Sequence, residues 1–218
     1  MAIAEALSTL KQALPKSVEL VAVSKTKPLA DLQEAYAAGQ RHFGENKIQE
    51  MTQKWEALPK DIFWHMIGHV QTNKVKYMAP YVHLVHGIDR LKLLKEVNKQ
   101  AHKNNRSIDC LLQMHIAQED TKFGLDATEL EEIIELYKAG HFPHIRLRGL
   151  MGMATFTSDD AQIRSEFAVL KNHFDTYKNE IEAFDTLSMG MSGDYPLAIE
   201  MGSTLIRVGS KIFGARNY

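Results

Sequence analysis

Short apolar runs alternate with helical patterns along the whole chain. The apolar runs are rich in β-branched side chains and are too short for helices, which indicates buried strands. We predict eight strands, at positions 18–24, 42–45, 63–67, 83–86, 108–115, 147–153, 186–191 and 204–209.

The segments between these runs carry apolar residues at helical spacing. The longest segment contains Ile163, Phe167, Leu170 and Phe174, which would form one stripe packed against a core. We predict helices at positions 29–38, 47–58, 72–79, 90–104, 127–139, 160–181 and 195–201, and an amphipathic helix at 1–14 before the first strand.

This alternation requires a parallel sheet with helical crossovers, and hence an α/β fold. Eight units in 218 residues fit a closed (β/α)8 TIM-type barrel, with the N-terminal helix added at one end or flank. A doubly wound open sheet is the alternative, but the G-x-G-x-x-G motif after the first strand is absent. We therefore expect one barrel domain over residues 1–218.

Bulk composition restricts the partners and the compartment. A net charge of −1 argues against nucleic acid or a membrane surface as partner, and no apolar stretch is as long as a membrane span. The one cysteine, Cys110, lies in an apolar run and is expected to be buried. Residues 1–14 lack the features of a signal peptide, so we expect a cytoplasmic protein.

Lys25 ends the first predicted strand and has the same parity as Val21 and Val23. All three side chains should therefore point to one side of the sheet. An ammonium group at the end of a buried strand is either paired or has a lowered pKa, and the second case gives an amine that can attack an aldehyde. The alternative is a lysine that extends into solvent.

Glycine and serine are concentrated where the last two strands end. In a β/α barrel, active sites lie at the C-terminal ends of the strands, and phosphate often binds after strands 7 and 8. Gly209 and Ser210, with Ser188 and Ser192, are therefore candidates for a phosphate site, although such clusters also form simple turns.

Two further polar residues belong to the same end of the predicted barrel. Arg207 lies inside an apolar strand with the parity of Gly209, so its guanidinium needs a partner, either a ligand or a buried carboxylate. Asn46 follows the second strand and could contact a ligand or cap the next helix. A ligand with an aldehyde at one end and a phosphate at the other fits this set, and pyridoxal 5′-phosphate is such a ligand.

Seven segments, in order and across essentially the whole chain, resemble the pyridoxal phosphate homeostasis protein family. They are Ala22-Val23-Ser24-Lys25-Thr26-Lys27, Phe43-Gly44-Glu45-Asn46, Trp64-His65-Met66-Ile67-Gly68, Gln71-Thr72-Asn73-Lys74, Arg148-Gly149-Leu150-Met151, Leu187-Ser188-Met189-Gly190-Met191-Ser192 and Ile212-Phe213-Gly214-Ala215-Arg216. The resemblance implies one barrel similar to the N-terminal domain of alanine racemase.

The same resemblance implies a role for each candidate residue. Lys25, and not Lys27, would hold pyridoxal phosphate as a Schiff base. The remaining contacts would come from Asn46 beside the ring, from Arg207 facing the pyridine nitrogen, and from Ser188, Gly209 and Ser210 at the phosphate. Relatives often have threonine at position 210 and proline at position 69, where this chain has Ser210 and His69.

The residues favour a carrier over an enzyme. A cationic Arg207 opposes protonation of the pyridine nitrogen, which weakens the electron sink that amino-acid chemistry needs. Similar racemases also use a second, β-rich domain, for which we expect no residues after strand 8. We therefore expect a protein without catalytic residues that acts in vitamin B6 and amino-acid homeostasis and passes the cofactor to apo-enzymes.

Two enzymatic alternatives remain open. One is a small racemase or lyase that depends on pyridoxal phosphate, and the other is a sugar-phosphate enzyme in which Lys25 forms a Schiff base with the substrate.

Other groups leave less definite expectations. The chain has ten histidines, but His65/His69, His83/His86 and His141/His144 lack the usual zinc spacing, so we predict no metal site. Lys122 could contact a second anion or only solvent. We expect a monomer or a weak dimer.

Overall fold

Eight parallel strands close into a barrel in the order in which they occur along the chain. The structure, a computed structural model, describes residues 2–118 and 123–214. The fold prediction is confirmed and the open-sheet alternative is excluded, because β1 pairs with both β2 and β8. The strands are β1 (Glu19–Val23), β2 (His42–Glu45), β3 (Phe63–Met66), β4 (Leu84–Ile88), β5 (Ile108–Gln113), β6 (Ile145–Met151), β7 (Thr186–Ser188) and β8 (Leu205–Val208).

Each strand is followed by a helix, and one additional helix precedes β1. That first helix packs against α2 and α9, on the flank of the barrel. No helix in the described ranges is both long and apolar enough to cross a membrane. The helices are α1 (Ile3–Ala13), α2 (Leu29–Ala37), α3 (Ile48–Ala57), α4 (Val75–Met78), α5 (Leu91–Lys103), α6 (Ala127–Lys138), α7 (Asp160–Tyr177), α8 (Tyr195–Glu200) and α9 (Ser210–Phe213), with a 3-10 turn at Thr72–Lys74.

β7 is shorter than predicted. The prediction extended to position 191, but the chain leaves the sheet at Gly190, which has φ +95°. The N–H of Met191 then donates to the Asp194 carboxylate at 2.6 Å instead of to a neighbouring strand. The glycine and the aspartate together convert the end of the predicted strand into the loop that leads to α8.

Alternate strand residues face the inside of the barrel and the surrounding helices. The apolar cluster inside the barrel contains Val21, Leu84, Leu111, Met151 and Leu205, and a larger cluster fills the space between strands and helices. The position of Val21 fixes the parity of β1, so residues of the same parity after the strand lie over the barrel interior.

Cys110 lies on the outward face of β5 and has no solvent exposure. Burial raises the pKa of its thiol, so this cysteine packs as a small apolar residue, as predicted.

A buried ammonium group fixes the turn that follows β1. Lys54 on α3 donates to the Ser24 carbonyl and the Glu45 carboxylate, each at 2.8 Å, and to the Glu50 carboxylate at 2.7 Å. The Ser24 hydroxyl donates to Glu45, and the Thr26 N–H donates to Glu50, both at 2.6 Å. The peptides on both sides of position 25 are therefore held by charged groups of β2 and α3.

Glu45 is the most strongly desolvated member of this cluster. Burial raises the pKa of Glu45 to about 7, although Lys54 and the Ser24 hydroxyl both act to lower it. The folded protein thus retains a proton that an unfolded glutamate releases near its ordinary pKa of 4.5. The stabilisation from that proton is complete below the unfolded pKa and is lost as pH rises through about 7.

We predict that Glu45→Gln will remove this pH dependence. Glutamine keeps an acceptor for Lys54 and Ser24 but does not titrate. Between pH 5 and pH 8, the stability of the wild type relative to the variant should fall by about 2 kcal/mol. Urea unfolding of both proteins at the two pH values measures this difference. A difference that stays constant, or that grows as pH rises, would contradict the prediction.

Candidate functional site

A cavity of about 770 Å³ opens at the C-terminal ends of the strands. Its walls come from the loops after strands on both sides of the barrel, so residues far apart in sequence face one another. This volume lies in the range of small-molecule and cofactor sites, and the position is that of active sites in β/α barrels.

The structure places Lys25 on the wall of this cavity. Its side chain is half-buried, and it follows Val21 and Val23 with the same parity. Thr26, the next residue, has φ +64° and turns the chain towards α2. Because Ser24 and Thr26 are both fixed by the cluster around Lys54, the backbone of Lys25 is held from either side.

Lys27 also lines the cavity, but its amine is hydrogen-bonded to the end of α9. Its Nζ donates to the carbonyl oxygen of Phe213 at 2.8 Å and to that of Gly214 at 3.4 Å. These are the carbonyls at the C-terminal end of α9, where a cation is favourable. Lys27 thus connects the turn after β1 to the helix after β8.

Asn46 follows β2 and lines the cavity. The helix-capping alternative does not hold, because the N-cap of α3 is Lys47 and has no side-chain cap. Gly68, after β3, lies against the Asn46 backbone, where an added Cβ would come within 2.5 Å of the Asn46 carbonyl oxygen. A glycine at position 68 is therefore required for the position that Asn46 occupies.

The loops after β7 and β8 meet across the cavity. The Gly209 N–H donates to the Ser192 hydroxyl at 3.2 Å, and both residues line the wall together with Ser210. A Cβ at position 209 would lie 3.1 Å from the Val23 carbonyl oxygen, so glycine allows β1 and β8 to approach. The chain then enters α9, whose first N–H groups have no partner within the helix.

Arg207 extends from β8 through the barrel interior to the cavity floor. Its guanidinium donates to the Ser188 carbonyl at 2.9 Å, to the Ser188 hydroxyl, and to the Gly152 carbonyl at 3.1 Å. The buried carboxylate partner that the sequence left open is not found among the described residues. Burial lowers the pKa of Arg207 to about 10, partly offset by Asp194, so the group remains cationic at neutral pH.

Ser188 is not placed as its predicted role requires. It has no solvent exposure and pairs with Leu205, a residue of the apolar cluster inside the barrel. Its hydroxyl accepts from Arg207 and lies 3.0 Å from Nδ1 of His86. Ser188 therefore lies below the cavity and positions the Arg207 guanidinium. The serine after β7 that lines the cavity wall is Ser192.

One cavity residue was underestimated from the sequence. His69 lines the cavity beside Gly68, and its Nδ1 lies 2.7 Å from the Asp89 carboxylate. Its ring stacks on Phe123 at 4.3 Å between centroids. The signal was its place two residues after the end of the third predicted strand, at the end of the barrel where sites form. Lys122 and the last segment of the resemblance, from Ala215 on, lie outside the described residues.

The charges that line the cavity are mainly positive. Lys25, Lys27, Arg207 and Lys211 contribute four cations, and Asp194 contributes an anion. A site of this composition, with serine hydroxyls and backbone N–H groups on one wall, suits a small anionic ligand.

Comparisons of sequence identify the relatives of this chain. The family model described as alanine racemase, N-terminal domain, matches residues 1–217. A pyridoxal phosphate homeostasis protein of Vibrio alginolyticus is 41% identical over 209 residues, which cover 94% of this chain and 89% of the relative. One of Aquifex aeolicus is 39% identical over 202 residues, 92% of this chain and 88% of the relative.

Solved structures agree with the sequence relatives. PipY of Synechococcus elongatus PCC7942 without PLP has a TM-score of 0.91 at 37% identity, over 97% of this chain and all of that chain (100%). PipY with PLP bound has a TM-score of 0.87. Alanine racemase from Bartonella henselae, with covalently bound pyridoxal phosphate, shares the fold, with a TM-score of 0.74 at 18% identity over 98% of this chain and 58% of that chain. The chain therefore belongs to the pyridoxal phosphate homeostasis protein family, which the sequence motifs predicted.

Proposed function

We propose that this protein binds pyridoxal 5′-phosphate in the cavity at the barrel mouth and acts as a carrier in vitamin B6 and amino-acid homeostasis. Relatives are named as pyridoxal phosphate homeostasis proteins, and PipY was solved with PLP bound. The observation that carries the proposal is that Lys25, Arg207 and the Gly209-Ser210 loop all line the same cavity.

Lys25 is the residue that would hold the cofactor covalently, through its ε-nitrogen. When bound, pyridoxal phosphate supplies a reactive aldehyde and a ring that can accept electrons. The contribution of the chain is to present one amine at a fixed place. The hydrogen bonds of Ser24 and Thr26 to charged groups fix the backbone from which this amine extends.

The loops after β7 and β8 would hold the phosphate. Ser192 and Ser210 offer hydroxyl donors, and the N–H groups of Ser210 and Lys211, in the first turn of α9, have no partner within that helix. Lys211 and Lys27 add positive charge to this wall. Asn46 lies at the end of β2 and would contact the ring.

Arg207 would face the pyridine nitrogen and supports the carrier over the enzyme. It is fully desolvated, cationic and fixed by carbonyl oxygens on two neighbouring strand ends. A permanent cation beside a ring nitrogen disfavours protonation of that nitrogen. The ring then withdraws electrons weakly, which suits storage of a reactive aldehyde better than carbanion chemistry.

A racemase or lyase is the second candidate, and His69 is the observation that favours it. His69 is an imidazole on the cavity wall, oriented by the Asp89 carboxylate. Histidine is the side chain that most often serves as a general acid or base, and orientation by a carboxylate suits that role. Among residues 2–118 and 123–214, no tyrosine lines the cavity, and His69 is the imidazole on its wall.

The remaining parts of the proposal concern partners. Apo-enzymes that depend on pyridoxal phosphate would receive the cofactor, in the cytoplasm, from a monomer or a weak dimer. The mouth that they would approach carries two exposed phenylalanines, Phe123 and Phe156, the second being 96% exposed.

We predict that the cofactor attaches at Lys25. Protein loaded with pyridoxal phosphate should absorb visible light, and borohydride should fix the adduct on the peptide that contains Lys25. Lys25→Ala should lose both signals. Lys27→Ala is the matched control, because its amine holds α9, and it should retain the adduct on Lys25. A yellow Lys25→Ala protein with stoichiometric cofactor, or an adduct mapped to Lys27, would refute the assignment. A wild type that stays colourless would favour the sugar-phosphate alternative.

We predict that the phosphate contacts can be separated from the ring contacts. Ser192→Ala and Ser210→Ala each remove a donor to a charged group, so the dissociation constant for pyridoxal phosphate should rise about 10- to 100-fold. Pyridoxal, which has no phosphate, should bind these variants and the wild type equally. Fluorescence titration with both compounds measures the effect. Equal losses for the two compounds would place the serines elsewhere in the site.

We predict that the loaded protein does not exchange the Cα proton of amino acids. Single amino acids in deuterium oxide should incorporate deuterium no faster than with the same concentration of unbound pyridoxal phosphate. Nuclear magnetic resonance follows the Cα signal directly. Deuteration or inversion at an enzyme-like rate, about 1 s⁻¹ or faster, would establish the racemase or lyase instead. In that case His69→Gln should abolish the exchange.

A further inference from the structure

A second polar cluster lies at the opposite end of the barrel from the cavity. It contains Glu19 at the start of β1, His42 at the start of β2, His65 within β3, and His83 just before β4. The sequence predicts no metal site, because its histidine pairs lack the usual zinc spacing. Pairing of β1 with β2, of β2 with β3 and of β3 with β4 brings the four residues together at the N-terminal face of the barrel.

The potential ligand atoms of the cluster converge. Nδ1 of His42 lies 2.9 Å from Nε2 of His65 and 3.1 Å from Oε1 of Glu19. Nε2 of His65 lies 4.0 Å from the same carboxylate oxygen. Each of the three histidines offers a ring nitrogen within 4.8 Å of the others. Ligands at 2.0–2.1 Å from a tetrahedral ion are about 3.3 Å apart, which falls within the observed distances.

Hydrogen bonds within the cluster alone cannot satisfy all of these atoms. If Nε2 of His65 donates to Nδ1 of His42, that nitrogen has no proton and faces the Glu19 carboxylate with a lone pair. If Nδ1 of His42 carries the proton, one N–H must serve two acceptors. A cation among the three atoms would satisfy every lone pair.

We propose that Glu19, His42, His65 and His83 form a binding site for a divalent transition-metal ion of the zinc class. Three imidazole nitrogens and one carboxylate oxygen supply the N/O ligands and the number that four-coordinate zinc takes. The site is separate from the cavity at the mouth and does not depend on what binds there.

Two of the three histidines, His65 and His83, are in the state that metal binding requires. Burial, followed by neighbouring histidines, lowers the pKa of His65 well below its ordinary value, and burial lowers the pKa of His83. Both rings are therefore neutral at neutral pH and can donate a lone pair.

An outer shell orients the central ligand. Nδ1 of His65 lies 3.0 Å from Nε2 of His86, and Nδ1 of His86 lies 3.0 Å from the Ser188 hydroxyl. With Nε2 of His65 on the metal, its Nδ1–H donates to His86, and the His86 Nδ1–H donates to Ser188. Such a partner for the second ring nitrogen accompanies almost every metal-bound histidine.

The ion can enter from solvent. The side chains of Glu19 and His42 are 42% and 23% exposed, whereas His65 is fully buried beneath them. The Phe63 ring packs at a tilt against both His42 and His83, each at 4.7 Å between ring centroids, and so restricts the orientation of the two outer imidazoles. The site thus has one open side and three constrained rings.

Titration with metal tests the proposal on protein without a polyhistidine tag. One equivalent of Co²⁺ should give the strong visible absorption of a four-coordinate ion, and one equivalent of Zn²⁺ should displace it. Zn²⁺ should also raise the melting temperature of the protein, because it binds the folded state. Octahedral Co²⁺ spectra, or binding without a defined stoichiometry, would overturn the proposal.

Variants distinguish this site from ordinary surface histidines. His42→Ala and His83→Ala should each raise the dissociation constant by at least about 100-fold, the upper end of the loss for an outer-shell partner. His102→Ala is the matched control, because it removes half of an exposed histidine pair whose nitrogens are 3.0 Å apart, against 2.9 Å for His42 and His65. Glu19→Gln should weaken binding with little change in packing, since its side chain is partly exposed.

The folding of each variant is checked together with its metal binding. Circular dichroism melting of each variant without metal shows that the barrel is intact. Folded His42→Ala and His83→Ala proteins that bind Zn²⁺ as tightly as the wild type would refute the site. An equal loss in His102→Ala would assign the binding to the surface pair instead. If an alanine variant fails to fold, Glu19→Gln and the Co²⁺ spectrum of the wild type still decide.

Discussion

The buried guanidinium of Arg207 is the charge around which the interior of this barrel is organised. A barrel of eight strands is normally filled with apolar layers, and a desolvated cation there must be compensated by nearby oxygen atoms. Ser188 and Gly152 supply carbonyl oxygens from β7 and from the end of β6. The Ser188 hydroxyl also contacts His86, and His86 contacts His65. Polar contacts therefore extend from the mouth of the barrel to its opposite face.

Under the proposed function, this arrangement would let one end of the barrel hold a reactive ligand while limiting the reactions that the ligand undergoes. The cations at the mouth favour an anionic ligand, and the amine of Lys25 is held on a turn fixed by Lys54. Under the proposed function, Arg207 would restrict what such a ligand can do, because its hydrogen-bond partners among the described residues are neutral oxygens that leave its charge uncancelled. Ligand binding and chemical restraint would then both depend on positive charge at the mouth.

Much of the fold and part of the site could be predicted from the sequence. Short β-branched runs separated by helical stripes required a parallel sheet, and eight units in this length favoured a closed barrel over an open sheet. Strand parity correctly put Lys25 and Arg207 on the inner side. Depth along the barrel axis could not be predicted, because it depends on the stagger of neighbouring strands. Ser188 pairs with Leu205 and therefore lies one layer below the mouth. The cluster of His42 with its neighbours was missed for a related reason. Zinc sites are recognised in a sequence by the spacing of ligands within one segment, and these ligands come from separate strands.

The bond from Lys27 to the end of α9 has a mechanical consequence. Its amine joins the turn that bears Lys25 to the helix that begins at Ser210, so the two halves of the mouth are tied together. Under the proposed function, a small molecule held by both halves would not leave by the opening of one loop alone. Its departure would then depend on a competing amine that takes over the covalent attachment, and the recipient would set the timing of delivery.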